Sequence, residues 1–453
     1  MTTGWIVKGV VGLTALLAAA APAWGQRAVG DWHGRLAVGA ISLRIGVSVT
    51  QAPDGSLSGT LTSPDQGAAV IALSELRFAG TKFAFTVPSI GGRYEGTWDA
   101  ARGGWKGSWS QGAAMPLVLL PGKVAAINRP QEPKPPFPYR QEEVAIDSVP
   151  GVRLACTLTR PEGLGPFPAA MLVSGSGAQD RDEALLGHRP FAVLADYLTR
   201  TGIAVLRCDD RGTAKSTGNF AAALTRNFAD DAMAAVAWLR RQDGIDKVGL
   251  IGHSEGGVVG PMVAERDPKL AFLVMLAGPG MPMTELLAAQ SEAIGRAMGL
   301  SVDQAAHQGE VTRRFLHDVL AAGSNEEAKA AATRILTESG AKPETIASQI
   351  AMVSTPWFRE LAAYDPRPAL AKLRIPVLAV NGGTDTQVPA KLNLAGIRAA
   401  THGNSDATIL ELPGLNHLFQ TSATGAPGEY GIIEETFSPT ALKLIGDWIL
   451  KHR

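Results

Sequence analysis

The apolar run Val248-Gly249-Leu250-Ile251 leads directly into Gly252-His253-Ser254-Glu255-Gly256, and small residues (Val258, Val259, Gly260, Ala264) follow. A strand-type segment entering Gly-x-Ser-x-Gly and continuing as a helix is the sequence form of a nucleophile elbow. In that turn a strained backbone pushes a serine hydroxyl out of a sheet. Gly252 and Gly256 leave room for strand and helix backbones to pass where a Cβ would clash. The helix that follows points its amide dipoles at the same spot. Five residues match by chance often enough in a glycine-rich chain. The weight comes from position, with a strand before, a helix after and two partners downstream.

A serine hydroxyl is a weak nucleophile at neutral pH and needs a base to take its proton and an acid to orient that base. In a doubly wound sheet the acid follows a later strand and the histidine comes last. Asp385, in Asn381-Gly382-Gly383-Thr384-Asp385, lies in the loop after an apolar strand at 376–380. His417, in Gly414-Leu415-Asn416-His417, lies after the next strand at 407–412. Both fall at carboxyl ends of strands, where open α/β sheets build their sites. Other residues are worse placed. His307 and His317 sit in a helical stretch, His402 at a helix end and His33 in a different region; Asp365 is the rival acid. His253 is expected to point away from its neighbour and pack, and His188 to cap or pack. The oxyanion hole is expected from the Glu255 amide and from one amide of Ser174-Gly175-Ser176-Gly177, with Ser176 first and Gly177 next.

The rest of the chain is organised around that unit. With 453 residues it is long enough for two domains, and with 42 Lys+Arg against 42 Asp+Glu its net charge is zero. No basic field favours nucleic acid. Residues 1–25 have a positive start at Lys8, a short apolar run at 10–21 and small residues at Ala23 and Gly25. That is the layout of a secretory signal peptide cleaved before Gln26, too short and too alanine-rich for a membrane span. Export to the periplasm or medium follows, with no stable membrane insertion after processing. Residues 26–120 read as a small antiparallel β domain. Alternation at 43–49 and regularly spaced turns suit a meander or small barrel, with Trp32, Trp98, Trp105 and Trp109 as core packing. Residues 121–140 are proline-rich and are expected to run extended as a semi-rigid linker. From 141 to 453 strands and helices alternate, as in an α/β sheet. Between about 283 and 361 only helical periodicity remains, as in a lid inserted between two strands. The cysteines, Cys156 and Cys208, both lie in strand-like stretches, where pairing and buried free thiols are both open. No Cys/His cluster has metal spacing.

Four separated motifs carry a resemblance. They are Gly-His-Ser-Glu-Gly-Gly at 252–257, Ser-Gly-Ser-Gly-Ala-Gln-Asp-Arg-Asp-Glu at 174–183, Asp-Asp-Arg-Gly at 209–212 and Leu-Asn-His-Leu-Phe-Gln at 415–420. Together they resemble a group of bacterial serine esterases of the α/β-hydrolase superfamily that includes the EstD-type carboxylesterases, over about 140–453. The resemblance implies hydrolysis of small-molecule esters by a Ser-His-Asp triad without a cofactor. Prolyl-oligopeptidase-like and serine aminopeptidase families share the fold, so the peptidase alternative stays open; a further alternative is a non-catalytic ligand-binding protein, against which the intact Ser, His and Asp argue. Ser174 stands where many relatives in the wider superfamily carry a histidine.

Overall fold

The computed structural model describes residues 28–38, 41–66 and 69–452. The signal peptide expected at 1–25 lies outside the described residues. Contacts divide the chain into two compact units, one running to Ala125 and the other beginning at Ala126, with the short segment 65–68 grouped with the second.

The first unit is a single antiparallel sheet. Its strands are β1 (Gly30–Val38), β2 (Ile41–Gln51), β3 (Leu57–Thr62), β4 (Ile71–Ala72), β5 (Ser74–Ala79), β6 (Lys82–Val87), β7 (Gly92–Asp99), β8 (Gly104–Gln111) and β9 (Ala113–Pro121). The order β4-β3-β2-β1-β9-β8-β7-β6-β5 is an up-and-down meander whose first and last strands pair. The two edges, β4 and β5, are joined by Leu73, whose N–H donates to the Gly59 carbonyl at 2.9 Å, so the sheet nearly closes into a barrel. Period-two alternation decides what is inside: Leu43, Ile45, Val47 and Val49 of β2 are buried, while Ser42 and Thr50 are exposed and Arg44 and Ser48 half-buried. The tryptophans do pack the core, with Trp105 fully buried and edge-on to Trp32 and Trp98 at ring separations of 5.9 and 5.0 Å.

The second unit is an α/β-hydrolase sheet. Its strands are β10 (Arg140–Asp147), β11 (Arg153–Arg160), β12 (Phe167–Val173), β13 (Ala204–Cys208), β14 (Ile245–His253), β15 (Leu273–Leu276), β16 (Val377–Gly382) and β17 (Ala407–Leu412). Their order is β10-β11-β13-β12-β14-β15-β16-β17, antiparallel through β10, β11 and β13 and parallel from there on. Successive residues of β12 feed opposite faces: Ala169 and Met171 enter one apolar cluster, Ala170 and Leu172 the other. Helices α1 (Pro190–Arg200) and α11 (Pro439–Lys451) pack on one face through Leu194, Leu198, Ile445 and Ile449. Helices α2 (Thr225–Leu239), α3 (Gly256–Arg266) and α10 (Ala390–Ala400) cover the other through Val236, Val263 and Ile397. Chain order reverses at β12, so the loops leaving β12 and β14 open a crevice at a topological switch point.

Three features refine the sequence reading. Cys156 and Cys208 face each other across β11 and β13 with Cα atoms 4.0 Å apart and are joined as a disulfide, which resolves the open choice against free thiols. The proline-rich segment is fastened rather than free from Ala126 onward. The Arg129 guanidinium donates to the carbonyls of Leu186, Gly187, Gly431 and Ile433, and Gln131 bonds the backbone of Thr436 and Phe437. Between β15 and β16 lie α4 (Met283–Ala297), α5 (Val302–Ala321), α6 (Asn325–Glu338), α7 (Pro343–Val353) and α8 (Pro356–Ala363), followed by the single turn α9 (Arg367–Leu370). These lid helices own a small core of Phe315, Leu316, Val319, Ile335, Val353 and Phe358. Ser301, Ser324 and Thr355 cap α5, α6 and α8.

Candidate active site

Ser254 follows the last residue of β14 and takes φ +53°, a left-handed conformation that a side chain adopts only when its surroundings impose it. Its amide donates to the Leu276 carbonyl at 2.9 Å, which fixes the turn against β15. A Cβ on Gly252 would stand 2.0 Å from the Gly256 carbonyl, and one on Gly256 would stand 2.2 Å from that of Val173. Both positions therefore exclude any other residue. Glu255 is the N-cap of α3, so its amide sits at the positive end of the helix dipole.

Asp385 lies in the loop after β16. Its Oδ1 accepts the amides of Gln387 and Val388 at 2.8 and 2.9 Å, and Oδ2 meets His417 Nδ1 at 2.9 Å. The carboxylate is therefore held in one orientation by main-chain donors. His417 follows β17 in a loop that Asn416 shapes: its Oδ1 accepts the amides of Leu418 and Gln420. The carboxyl of Asp365 is instead engaged by Arg367 on the surface, away from His417. His188 is fully buried between Thr436 and the Tyr430 carbonyl, and burial pushes its pKa down to about 4, so it is a neutral packing residue.

Ser254, His417, Glu255 and Ser176 line one cavity of about 930 Å³. Gly175 lies against Ser254, since a Cβ there would stand 3.2 Å from that of Ser254. Its amide is committed to Glu183 Oε1 at 2.7 Å and is not an oxyanion donor. Neither the Ser176 nor the Glu255 amide has an acceptor among the described residues, so both are left to donate elsewhere. Ser174, in the position of the wider superfamily's histidine, donates to Asp210, which also accepts the Gln179 amide. Burial raises the Asp210 pKa to about 7, with the charges of Glu183 and Glu255 adding to the effect.

The lid supplies much of the wall. Leu286, Leu287, Ile294, Phe315, Trp357 and Phe358 all face this cavity. Phe315 and Phe358 also belong to the lid's own core, so covering the cavity and packing the lid are one arrangement. The elbow and the lid touch directly: Glu255 Oε1 accepts Trp357 Nε1–H at 2.9 Å and the Thr225 hydroxyl at 2.6 Å.

Sequence reasoning passed over two groups. His253 was expected to pack, yet its Nδ1 meets Glu183 Oε1 at 2.8 Å and its Nε2 meets the His417 carbonyl at 3.0 Å. Burial opposes a charge on this ring, but the Glu183 carboxylate outweighs it and the pKa is raised. The Glu255 carboxylate was assigned nothing, although it joins elbow to lid. The signal available was the Asp-Arg-Asp-Glu run at 180–183, whose members interlock: Arg181 with Asp209, Asp182 with Arg207, Glu183 with His253.

The sequence profile of the X-Pro dipeptidyl-peptidase (S15) family matches residues 150–397, more than half of the chain. The chain belongs to the X-Pro dipeptidyl-peptidase (S15) family. Ser254 and Asp385 fall inside the matched span of this S15 chain, and His417 lies beyond it. A curated relative, Esterase EstD of Thermotoga maritima, is 28% identical over 298 residues, which are 65% of this chain and 64% of that esterase. The chain thus matches somewhat less than two thirds of that relative's length. Among solved structures, an esterase of Pyrococcus furiosus superposes with a TM-score of 0.44 at 15% identity, covering 72% of this chain and 97% of that one. A proline iminopeptidase of Mycobacterium smegmatis does so with 0.42 at 19% identity, covering 69% and 98%.

Proposed function

We propose that this S15-family chain is an exported serine hydrolase that cleaves small, uncharged carboxylic esters. The observation that carries the reading is the buried Asp385–His417 pair opening onto the same cavity as a serine in a strained elbow. Ser254 Oγ attacks the acyl carbon while His417 Nε2, opposite the nitrogen held by Asp385, takes the hydroxyl proton. The tetrahedral oxyanion is received by the Ser176 and Glu255 amides. His417 returns the proton to the departing alkoxide, and water then hydrolyses the acyl-enzyme by the same route.

The cavity wall favours an ester over an exopeptidase substrate. A dipeptidyl peptidase must count from a free amine and needs an acidic group to receive it. The acidic side chains lining the cavity are Glu183 and Glu255. The first is spent on His253 and Gly175, and the second on Thr225 and Trp357. No Lys or Arg among the described residues lines the cavity to hold a carboxylate. The family match favours the peptidase alternative. A panel of p-nitrophenyl esters beside X-Pro and aminoacyl anilides separates the two, with turnover of the esters alone expected. Anilide turnover exceeding ester turnover would overturn the assignment. Export is supported by the disulfide, since such bonds persist mainly outside the cytosol.

A further inference from the structure

His253 stands beside Ser254 in sequence, and its ring borders the same cavity with both nitrogens turned to protein partners. Its Nε2 faces the carbonyl oxygen of His417, which only accepts, so Nε2 carries a hydrogen and donates it at 3.0 Å. Its Nδ1 faces a carboxylate oxygen of Glu183 at 2.8 Å, and that same oxygen accepts the Gly175 amide at 2.7 Å. Both side chains are nearly inaccessible, at 7% and 6% exposure. Glu183 also takes φ +51°, a backbone conformation that a non-glycine residue holds only when its contacts over-determine it.

One buried node therefore reaches each part of the proposed machinery. The chain joins His253 to Ser254. The Nε2 hydrogen bond ties it to the main chain of His417, whose ring centroid lies 4.8 Å from its own. Through Glu183 it ties to Gly175, whose next amide is Ser176. Resting on the proposed hydrolase reading, we propose that His253 and Glu183 act as positioning residues, a buried ion pair that fixes the base and the oxyanion loop relative to the nucleophile. Both border the cavity, but the His253 nitrogens and Glu183 Oε1 are taken up by each other, by the Gly175 amide and by the His417 carbonyl, so the proposed role is positioning rather than substrate bonding. Substrate binding is left mainly to the lid side of the cavity, to Leu286, Phe315 and Trp357. Loosening the node should therefore misplace reacting groups without emptying the binding wall, and displacements of about 1 Å cost about 100-fold in rate.

The test uses Glu183→Gln, His253→Asn and His253→Gln in the full chain. Glu183→Gln keeps the shape and removes the charge. His253→Asn keeps an amide near the Nδ1 position and loses the His417 bond, whereas His253→Gln does the reverse. Rates are normalised to active sites titrated with a fluorophosphonate, so misfolded protein does not count. The expected result is a fall in kcat of about 10- to 100-fold in all three, with KM within about threefold of wild type. The double variant Glu183→Gln/His253→Gln should be no worse than about the worse single one, because the pair acts as a unit. Titrated kcat within about twofold of wild type in the three single variants overturns the proposal, as does a rise in KM at constant kcat. A wild-type protein that neither hydrolyses esters nor takes the phosphonate on Ser254 overturns the hydrolase reading itself, and this assignment falls with it.

Discussion

At the scale of single residues, Ser254 and the buried Asp210 each give a prediction. Ser254→Ala removes only an oxygen from a turn held by the Ser254 amide and by Gly252 and Gly256, so it should fold normally. Ester hydrolysis per folded molecule should fall by at least about 1,000-fold, leaving what the oxyanion donors and binding supply. Activity near wild type in a steady-state ester assay would remove Ser254 from the mechanism. Asp210 gives a pH-dependent prediction. Its pKa is raised from the usual 3.8 to about 7, so the folded state binds this proton more tightly than the unfolded chain. The stability this group contributes therefore declines as pH rises from about 4 through about 7. His188, lowered from 6.5 to about 4, works in the opposite direction over most of that range. Comparing Asp210→Asn with wild type isolates the first effect, because the amide can still serve Ser174 and Gln179. The melting temperature of the variant relative to wild type should rise between about pH 5 and about pH 8. A constant difference across thermal melts at both values would show that Asp210 does not titrate there.

At the scale of elements, the lid separates into a residue that meets the elbow and a residue that holds the lid together. Phe358 is 6% exposed and belongs to the lid core, so Phe358→Ala should cost about 3–5 kcal/mol in lid stability. Trp357 is half-buried, lines the cavity and donates to Glu255, the residue expected to supply an oxyanion amide. Trp357→Phe keeps most of the apolar wall and deletes that hydrogen bond. It should change relative kcat/KM across acyl chains from acetate to octanoate more than it changes the melting temperature. An unchanged chain-length profile with a clear loss of stability would make Trp357 a packing residue only. Strands β11 and β13 supply a second element-level prediction. The disulfide between them closes a sequence separation of 52 residues, which stabilises the folded state by about 4 kcal/mol in the chain-entropy account. Cys156→Ser/Cys208→Ser should therefore melt lower than wild type, and reductant should reproduce the shift in the wild type.

At the scale of the whole molecule, two units of different architecture are encoded in one chain, and the segment after Ala125 belongs with the larger. Arg129 and Gln131 bind backbone groups at 186–187 and 431–437, regions far apart in sequence. This segment works as a strap on the second unit, and a cut placed between Ala125 and Ala126 should disturb the hydrolase unit less than one placed after Gln131. Expression of residues 126–453 alone, assayed for ester turnover and melting, checks this. The proposed export also belongs here. Protein recovered from periplasm or medium should have the intact mass of a chain starting at Gln26, and retention of residues 1–25 would favour an anchor.

Much of the larger unit was legible in the order of residues. Apolar strand-type runs alternate with helical periodicity, and Gly-x-Ser-x-Gly, Asp385 and His417 each follow a strand, in the order serine, acid, histidine, so chain order alone nominated them. Glycine was informative for the same local reason, because Gly252 and Gly256 occupy sites where backbone lies about 2 Å from any Cβ. Local pattern carries that kind of information because strand alternation, helix period and turn chemistry each span only a few residues. What joins residues 70 or 164 positions apart has no local period: Glu183 to His253, and His253 to the His417 carbonyl. The same holds for Trp357 on Glu255, 102 residues away, and for the Cys156–Cys208 pairing, where sequence left two outcomes open. Those partnerships depend on which strands become neighbours at the switch point and on which polar groups, once buried, must find each other. Only the assembled tertiary structure decides that, because an unpaired buried donor or charge costs free energy that a chain in water does not yet incur.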